Sequence, residues 1–311
     1  MTNNAKPFLK WAGGKKQLLE ELDKRFPAEL ESGEITRYIE PFVGGGAVFF
    51  HVMNKFDFED SHICDVNEEL IVAYSVVKND VEKLIEMLDS LQSLYYDTPD
   101  QEKEIFYYEI RDELNKGRNS FNYKKYNQKW IKRAAQLVFL NRTCYNGLFR
   151  VNSKGFFNVP FGRYKNPRIL DAKNLRNVSD VLQNTQIHLG DFTICESLAD
   201  ENSFVYLDPP YRPLSRTSSF TSYSKDSFDD GEQFRLADFY RKIDAKGARL
   251  MLSNSDPKYE NPEDDFFDEM YSRFNIDRVL ARRNINSKGH KRGPVREIIV
   301  TNYQSVPKNP E

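Results

Sequence analysis

Asp208-Pro209-Pro210-Tyr211 directly follows the apolar run Phe204-Val205-Tyr206-Leu207. An apolar strand that ends in an acid delivers a carboxylate at its carboxyl end, where ligands of open α/β sheets bind. Two prolines fix the backbone and remove two amide donors, so carbonyl oxygens stand beside the carboxylate without competing N–H groups. Such a centre suits an exocyclic NH2, which needs two acceptors to be held and aimed. Asp208 and the Pro209 carbonyl would accept, and Tyr211 would stack on the ring that bears the amine. That arrangement turns the amino lone pair out of the ring plane, toward an electrophile. Taken alone, the tetrapeptide also reads as a Pro-Pro turn closing a strand, with the Asp as its cap.

A second group lies upstream. Glu40-Pro41-Phe42-Val43-Gly44-Gly45-Gly46-Ala47 follows the strand-like Arg37-Tyr38-Ile39 and precedes a helical pattern. There a ligand can approach bare backbone and the amide-rich start of a helix. Asp65 ends the next strand, 21 residues after Gly44, a spacing at which a carboxylate accepts from both hydroxyls of a ribose. The pair points to a nucleoside-containing ligand and leaves a dinucleotide, ATP and S-adenosylmethionine open. Ala12-Gly13-Gly14-Lys15-Lys16 lacks the spacing of a Walker loop and has no buried strand before it. None of the four histidines (His51, His62, His188, His290) sits in a ligand-like pair, so no metal is expected.

The elements that must position these groups alternate. Strands are expected at Arg37–Phe42, Ser61–Asp65, Gln186–Leu189, Phe204–Leu207, Ala248–Leu252 and Glu297–Val300, with helices opening at Ala47 and running through Leu70 and Val77. Strands alternating with helices imply an α/β fold, a mostly parallel sheet covered on both faces. Residues 81–168 break the pattern. They read as a mainly helical insertion ending in an aromatic, glycine- and asparagine-rich stretch, Asn141 to Tyr164, with a hairpin around Ser153-Lys154-Gly155. The expected division is a catalytic domain of residues 1–80 and 169–311 interrupted by an insertion of residues 81–168. Arg212 to Asp226, rich in Ser and Thr, reads as a long mobile loop.

Hydrophobic residues make up 39% of the 311 and charged residues 30%, as in soluble globular proteins. No run is long and apolar enough for a membrane span, and the N-terminus lacks a signal-peptide core. Three cysteines (Cys64, Cys144, Cys195) are far apart, which points to a reduced, cytoplasmic protein without a disulfide framework. Net charge is 45 − 47 = −2, which by itself speaks against a nucleic-acid partner. Yet Lys116 to Arg168 holds thirteen Lys or Arg and no acid, and Arg282 to Arg296 holds six more. Ordinary surfaces intersperse the two signs, so a basic surface for a phosphate backbone is expected.

Several motifs occur together and in one order: Phe8-Leu-Lys10-Trp11-Ala-Gly-Gly-Lys15, Glu40-Pro-Phe-Val-Gly-Gly-Gly46, Asp65-Val-Asn-Glu68, Asn141-Arg-Thr-Cys-Tyr-Asn-Gly-Leu-Phe-Arg150, Phe157-Asn-Val-Pro-Phe-Gly-Arg-Tyr164, Gly190-Asp-Phe192 and Asp208-Pro-Pro-Tyr211. In this order they resemble the Dam-type, D12-class (α group) DNA adenine-N6 methyltransferases, over nearly the whole chain. The resemblance implies a Rossmann-like S-adenosylmethionine-dependent sheet whose insertion, helices plus a β-hairpin, recognises the target. It implies that Trp11 and Lys15 line the cofactor pocket, that Asp65 holds the ribose, and that Asp191 and Phe192 contact the cofactor adenine. Asp208 would lie where cofactor meets target base. Ala12, Gly13, Glu40, Pro41, Phe42, Gly44 and Gly46 complete the implied cofactor set. Tyr145 and Asn146 resemble residues that fill the space of a flipped base, and Arg150 resembles the reader of guanine. Lys10, Arg142, Asn158, Pro160 and Tyr164 are the other implied DNA contacts.

The resemblance further implies double-stranded DNA as partner, GATC as target, and direct methyl transfer to an adenine swung out of the helix. Catalysis would then be mostly positioning. The alternatives are an amino-methyltransferase acting on another DNA site, cytosine N4, RNA or a protein amide, and a DNA-binding relative without catalysis. A restriction endonuclease acting independently is a candidate partner. A dehydrogenase fits least, since Pro-Pro-Tyr offers no hydride chemistry.

Overall fold

The structure is a computed structural model that describes residues 4–212, 228–282 and 294–304. Seven strands form one sheet: β1 (Arg37–Glu40), β2 (Asp60–Asp65), β3 (Thr185–Leu189), β4 (Ser203–Leu207), β5 (Arg249–Ser255), β6 (Asn275–Arg282) and β7 (Pro294–Thr301). Their order is β3-β2-β1-β4-β5-β7-β6. β1 pairs in parallel with β2 and β4, and β4 in parallel with β5. β7 runs antiparallel to both β5 and β6, so the mostly parallel α/β sheet expected from the sequence carries one reversed strand. All five residues of β4 are buried, as for a central strand covered on both faces.

The six expected strands are present and β6 is an addition. Its sequence, Asn-Ile-Asp-Arg-Val-Leu-Ala-Arg, mixes charges with apolar residues, and β7 supplies its pairing through eight registered residues. β5 also runs beyond Leu252 through Ser253, Asn254 and Ser255, all buried.

The chain packs into two compact units, Met1–Gly14, Val43–Lys55 and Cys64–Gly190 in one, Lys15–Phe42, Phe56–Ile63 and Asp191–Glu311 in the other. The second unit carries α1 (Leu19–Asp23) and α2 (Glu29–Ser32). The first holds α3 (Ala47–Met53), α4 (Glu68–Asn79), α5 (Val81–Asp97), α6 (Lys103–Gly117), α7 (Lys129–Thr143) and α8 (Ala172–Leu182). α4 begins where it does because the Asn67 side chain accepts from the Leu70 amide at 3.1 Å, a standard cap for the otherwise unpaired first turn. α7 is the centre of this unit: twelve of its fifteen residues are buried, and it packs on α4, α5 and α6. It extends through Asn141 and Thr143, so the aromatic stretch begins inside a helix. Beyond it the chain makes a short irregular ribbon with antiparallel bridges Cys144↔Phe161 and Val151↔Phe157.

The second unit also holds α9 (Asp230–Asp244) and α10 (Phe266–Met270). The loop expected at Arg212–Asp226 and the second basic stretch lie largely outside the described residues. Among the described residues no helix is long and apolar enough to cross a membrane.

Candidate active site

In the second unit β4 ends at Leu207, paired with Leu252 of β5. The next residue is therefore carried beside Ser253, whose hydroxyl donates to Asp208 Oδ1 at 3.1 Å. Lys15 Nζ lies 3.0 Å from the same oxygen and 4.0 Å from the centroid of the Tyr211 ring. Burial pushes the Asp208 carboxyl above its ordinary value, and the Lys15 charge and hydrogen bond oppose that rise. The Tyr211 hydroxyl donates to Glu297 Oε2 at 2.7 Å, and burial beside these acids raises its pKa well above the ordinary phenol value. Glu40, at the end of β1, is also buried and accepts from the Tyr38 hydroxyl at 2.6 Å. Burial lifts its carboxyl well above the usual range, the Tyr38 hydrogen bond lowers it, and the Asp208 charge adds to the rise.

The proline pair is anchored as well. Pro209 is buried, and the exposed Pro210 accepts at its carbonyl from Gln233 Nε2 at 3.2 Å. Gln233 Oε1 accepts from Asn254 Nδ2 at 3.1 Å, so α9 and the end of β5 clamp the turn. Among the described residues no donor reaches the Pro209 carbonyl. Sequence reasoning missed Ser253, Asn254, Gln233 and Glu297. The available signal was the polar run Ser-Asn-Ser ending an apolar strand.

Asp191 and Phe192, in the same unit, form a separate group. Asp191 Oδ1 accepts from the Thr193 amide and hydroxyl, and the carboxylate meets Arg235 with two bonds of 2.8 and 2.7 Å. The Arg235 hydrogen bond holds its pKa down at about 2. Phe192 is buried, packs on Phe42 at 5.4 Å, and lies under the Arg235 guanidinium at 4.3 Å. The Asp191 side chain is thus paired with an arginine that sequence reading did not single out.

In the first unit the glycine loop and its acid are joined. Asp65 Oδ2 accepts from the Gly44 amide at 3.0 Å and Oδ1 from the Asn67 amide at 2.9 Å. Burial raises this carboxyl and the backbone hydrogen bonds oppose the rise. Gly46 has φ +73°, and a Cβ there would lie 2.5 Å from Tyr74 Oη, so only glycine fits at the start of α3. Trp11 lies against the loop, with Ala12 and Gly13 following it in the N-terminal segment.

The ribbon residues are held by local contacts. Tyr145 is 55% exposed, and its amide donates to the Pro160 carbonyl at 2.9 Å. Asn146 is left-handed at φ +56° and donates its amide to the Tyr164 hydroxyl at 2.8 Å. Lys10 Nζ is 5.3 Å from the Tyr164 ring. Arg150 is exposed and donates from Nε to Asn158 Oδ1 at 2.8 Å. Arg142 behaves differently: it is half-buried and donates to the Phe8 carbonyl at 2.8 Å, so it fastens the N-terminal segment rather than presenting its charge outward.

The basic stretch is also less one-sided in space than in sequence. Five of the thirteen form ion pairs: Arg118 with both Glu68 and Glu69, Lys132 with Glu113, Arg133 with Glu69, Arg163 with Glu104 and Arg168 with Asp171. Arg133 is buried. Lys124, Lys125 and Lys129 are exposed.

The model of the D12 class of N6 adenine-specific DNA methyltransferases matches residues 11–285. The type II methyltransferase M.MjaIII of Methanocaldococcus jannaschii is 52% identical over 299 residues, covering 96% of this chain and 99% of that protein. The type II methyltransferase M1.LlaDCHI of Lactococcus lactis is 40% identical, covering 96% of each chain. The DNA adenine methylase of Escherichia coli K12 is 35% identical, covering 94% and 93%. With a buried carboxylate just beyond β4 and a glycine loop tied to Asp65, this chain belongs to the D12 class of N6 adenine-specific DNA methyltransferases, S-adenosylmethionine-dependent enzymes.

Proposed function

We propose that this chain methylates the N6 amino group of adenine within GATC sites of double-stranded DNA, acting on a base swung out of the helix. The observation that carries the reading is Asp208: a carboxylate at the end of a buried strand, charge-balanced by Lys15, followed by two prolines that leave the Pro209 carbonyl without a competing amide. The two named donors both use Oδ1, which leaves Oδ2 to accept from the incoming amine while the Pro209 carbonyl takes its second hydrogen. Tyr211, tethered through its hydroxyl to Glu297, offers a ring face to the base. Pro210 and its Gln233 clamp keep this turn from shifting.

The chemistry of the donor set fits S-adenosylmethionine. Asp65 supplies a carboxylate for a ribose diol, the glycine loop bare backbone, and Phe42 and Phe192 apolar ring surface. Bound, the cofactor supplies a methyl group on an activated sulfonium. Trp11, Ala12, Gly13, Lys15, Glu40, Pro41, Gly44, Gly46, Asp191 and Asp208 complete the proposed cofactor set. Residues 81–168 form the target-recognition insertion between the catalytic segments 1–80 and 169–311. Its ribbon supplies Tyr145, Asn146, Arg150, Asn158, Pro160 and Tyr164 to DNA, with Lys10 beside it. Support for GATC is the resemblance of the Asn141–Tyr164 segment and the exposure of Arg150, whose fork suits guanine O6 and N7. The enzyme works in the cytoplasm, and the names of its type II relatives support a cognate restriction endonuclease acting independently.

Mapping methylated positions in duplex DNA treated with purified protein and S-adenosylmethionine tests the reading. N6-methyladenine confined to GATC is expected. Methylation in another sequence sinks the site assignment, and N4-methylcytosine sinks the adenine assignment.

A further inference from the structure

The ribbon that carries Arg150 has a second side. Successive side chains of an extended chain point to opposite faces. Phe149, half-buried, and Val151, itself 41% exposed, line an open cavity of about 390 Å3, while the exposed Arg150 between them is not part of that lining. Other walls of that cavity are Val66 and Asn67, the two residues after Asp65, and Gly190, whose amide donates to the Asp65 carbonyl at 3.1 Å. Phe149 also stacks on Trp11, with ring centroids 5.0 Å apart and planes at 19°. Trp11 in turn is wedged against the glycine loop. A Cβ added at Gly45 would lie 2.8 Å from Trp11 Cβ, and one at Gly44 3.1 Å from its Cδ1. On its other flank Phe149 packs against Phe157 at 5.8 Å. Phe157 is pinned to α6, exchanging backbone hydrogen bonds of 2.8 and 2.9 Å with the Asn115 side chain.

We infer that Phe149 is a positioning residue that couples occupancy of the glycine loop to base reading by Arg150. The inference rests on the roles proposed above for Asp65 and Arg150. A ligand on the loop restricts the Trp11 indole, the indole restricts the Phe149 ring by stacking, and Phe149 is one peptide from Arg150. The Asn115 anchor keeps the opposite strand of the ribbon fixed, so a change at Phe149 is passed to Arg150 rather than lost in movement of the whole ribbon. Such coupling is reciprocal: correct DNA must tighten the loop ligand more than altered DNA does, by the factor by which the ligand sharpens discrimination.

The test is equilibrium binding of the full chain to two duplexes, one with the mapped site and one with its guanine replaced. Each is measured with and without S-adenosylhomocysteine. The parent chain is expected to discriminate better with S-adenosylhomocysteine present. Phe149→Ala should reduce that gain about two- to twelve-fold, the range an aromatic stack supports. Phe149→Leu, which keeps apolar bulk but has no ring face, should reduce the gain by a similar factor while melting like the parent chain, and Phe149→Tyr should restore it. A merely structural role weakens both duplexes equally and leaves the gain intact. That result, or a parent chain showing no gain, overturns the inference. Failure of the underlying roles has a different signature: Arg150→Ala would leave discrimination unchanged, or Asp65→Ala would leave S-adenosylhomocysteine affinity unchanged.

Discussion

Asp65 and Asp208 end two strands that both pair in parallel with β1, and burial raises both carboxyls, yet they are restrained by different means. Asp65 is held by backbone amides, those of Gly44 and Asn67. Asp208 is held by side chains, Lys15 and Ser253. Backbone donors survive nearly any substitution and do not change charge, which suits a group that grips a ligand by hydrogen bonds alone. A lysine partner sets the protonation state of its acid and can be lost by one mutation, which suits a group whose charge matters during reaction. The two sites should therefore fail in different ways.

The largest effect is expected at Asp208. Asp208→Asn keeps the shape but loses the charge-assisted acceptor, and transfer of labelled methyl to duplex DNA should fall at least about 10²- to 10³-fold, the scale for a lost transition-state hydrogen-bonding group. Activity near the parent level would remove Asp208 from the centre. Next comes Asp65→Ala. Hydrogen bonds to charged groups contribute about 1.5–3 kcal/mol each, so S-adenosylhomocysteine should bind roughly 10- to 100-fold more weakly by calorimetry, while the rate at saturating cofactor changes far less.

Lys15→Gln separates the two acids by pH. In the proposed role the Asp208 carboxylate is the form that accepts, so activity should be lost as pH falls through its pKa. Lys15 opposes the upward push of burial, and removing it should move the acidic limb of kcat/KM to higher pH; a limb that stays in place contradicts the ion pair. Asn67→Ala is the smallest. It removes the α4 cap, costing about 1 kcal/mol in denaturant unfolding, but leaves the amide that Asp65 uses, so cofactor affinity should change less than about twofold.

The same contrast explains what was readable. Asp65's partners are a loop that follows the preceding strand and a residue two positions on, so spacing singled out the acid and the loop together, although not the amide hydrogen bonds that join them. The Asp208-Pro-Pro-Tyr turn was legible because prolines act through their own backbone. Its supports were not: Ser253 comes from β5, Gln233 from α9 and Glu297 from β7, and the antiparallel return of β7 has no periodic signature that distinguishes it from a parallel strand.

Lys116 to Arg168 shows the limit most plainly. As sequence it is basic throughout. Folded, Glu69 from α4 takes up both Arg118 and the buried Arg133, with the Tyr123 hydroxyl at 2.6 Å. Removing that acid would strand a buried charge, a loss of about 3–5 kcal/mol. A charge run reports the signs along the chain but not the acids that other segments bring to it.

The sequence by itself determined the chemistry-bearing backbone, that is, the glycine loop, Asp65 and the proline-fixed turn, together with the ordered motifs of the family. These depend on local conformation and short spacing, which the residues themselves dictate. The tertiary structure alone decided which charges are spent and which remain exposed. It turned Arg142 inward, gave Asp191 to Arg235, paired Lys15 with Asp208 and set Phe149 on Trp11. Electrostatic and packing partners are chosen by proximity in space, and proximity between distant segments is settled only when the sheet and helices close on one another.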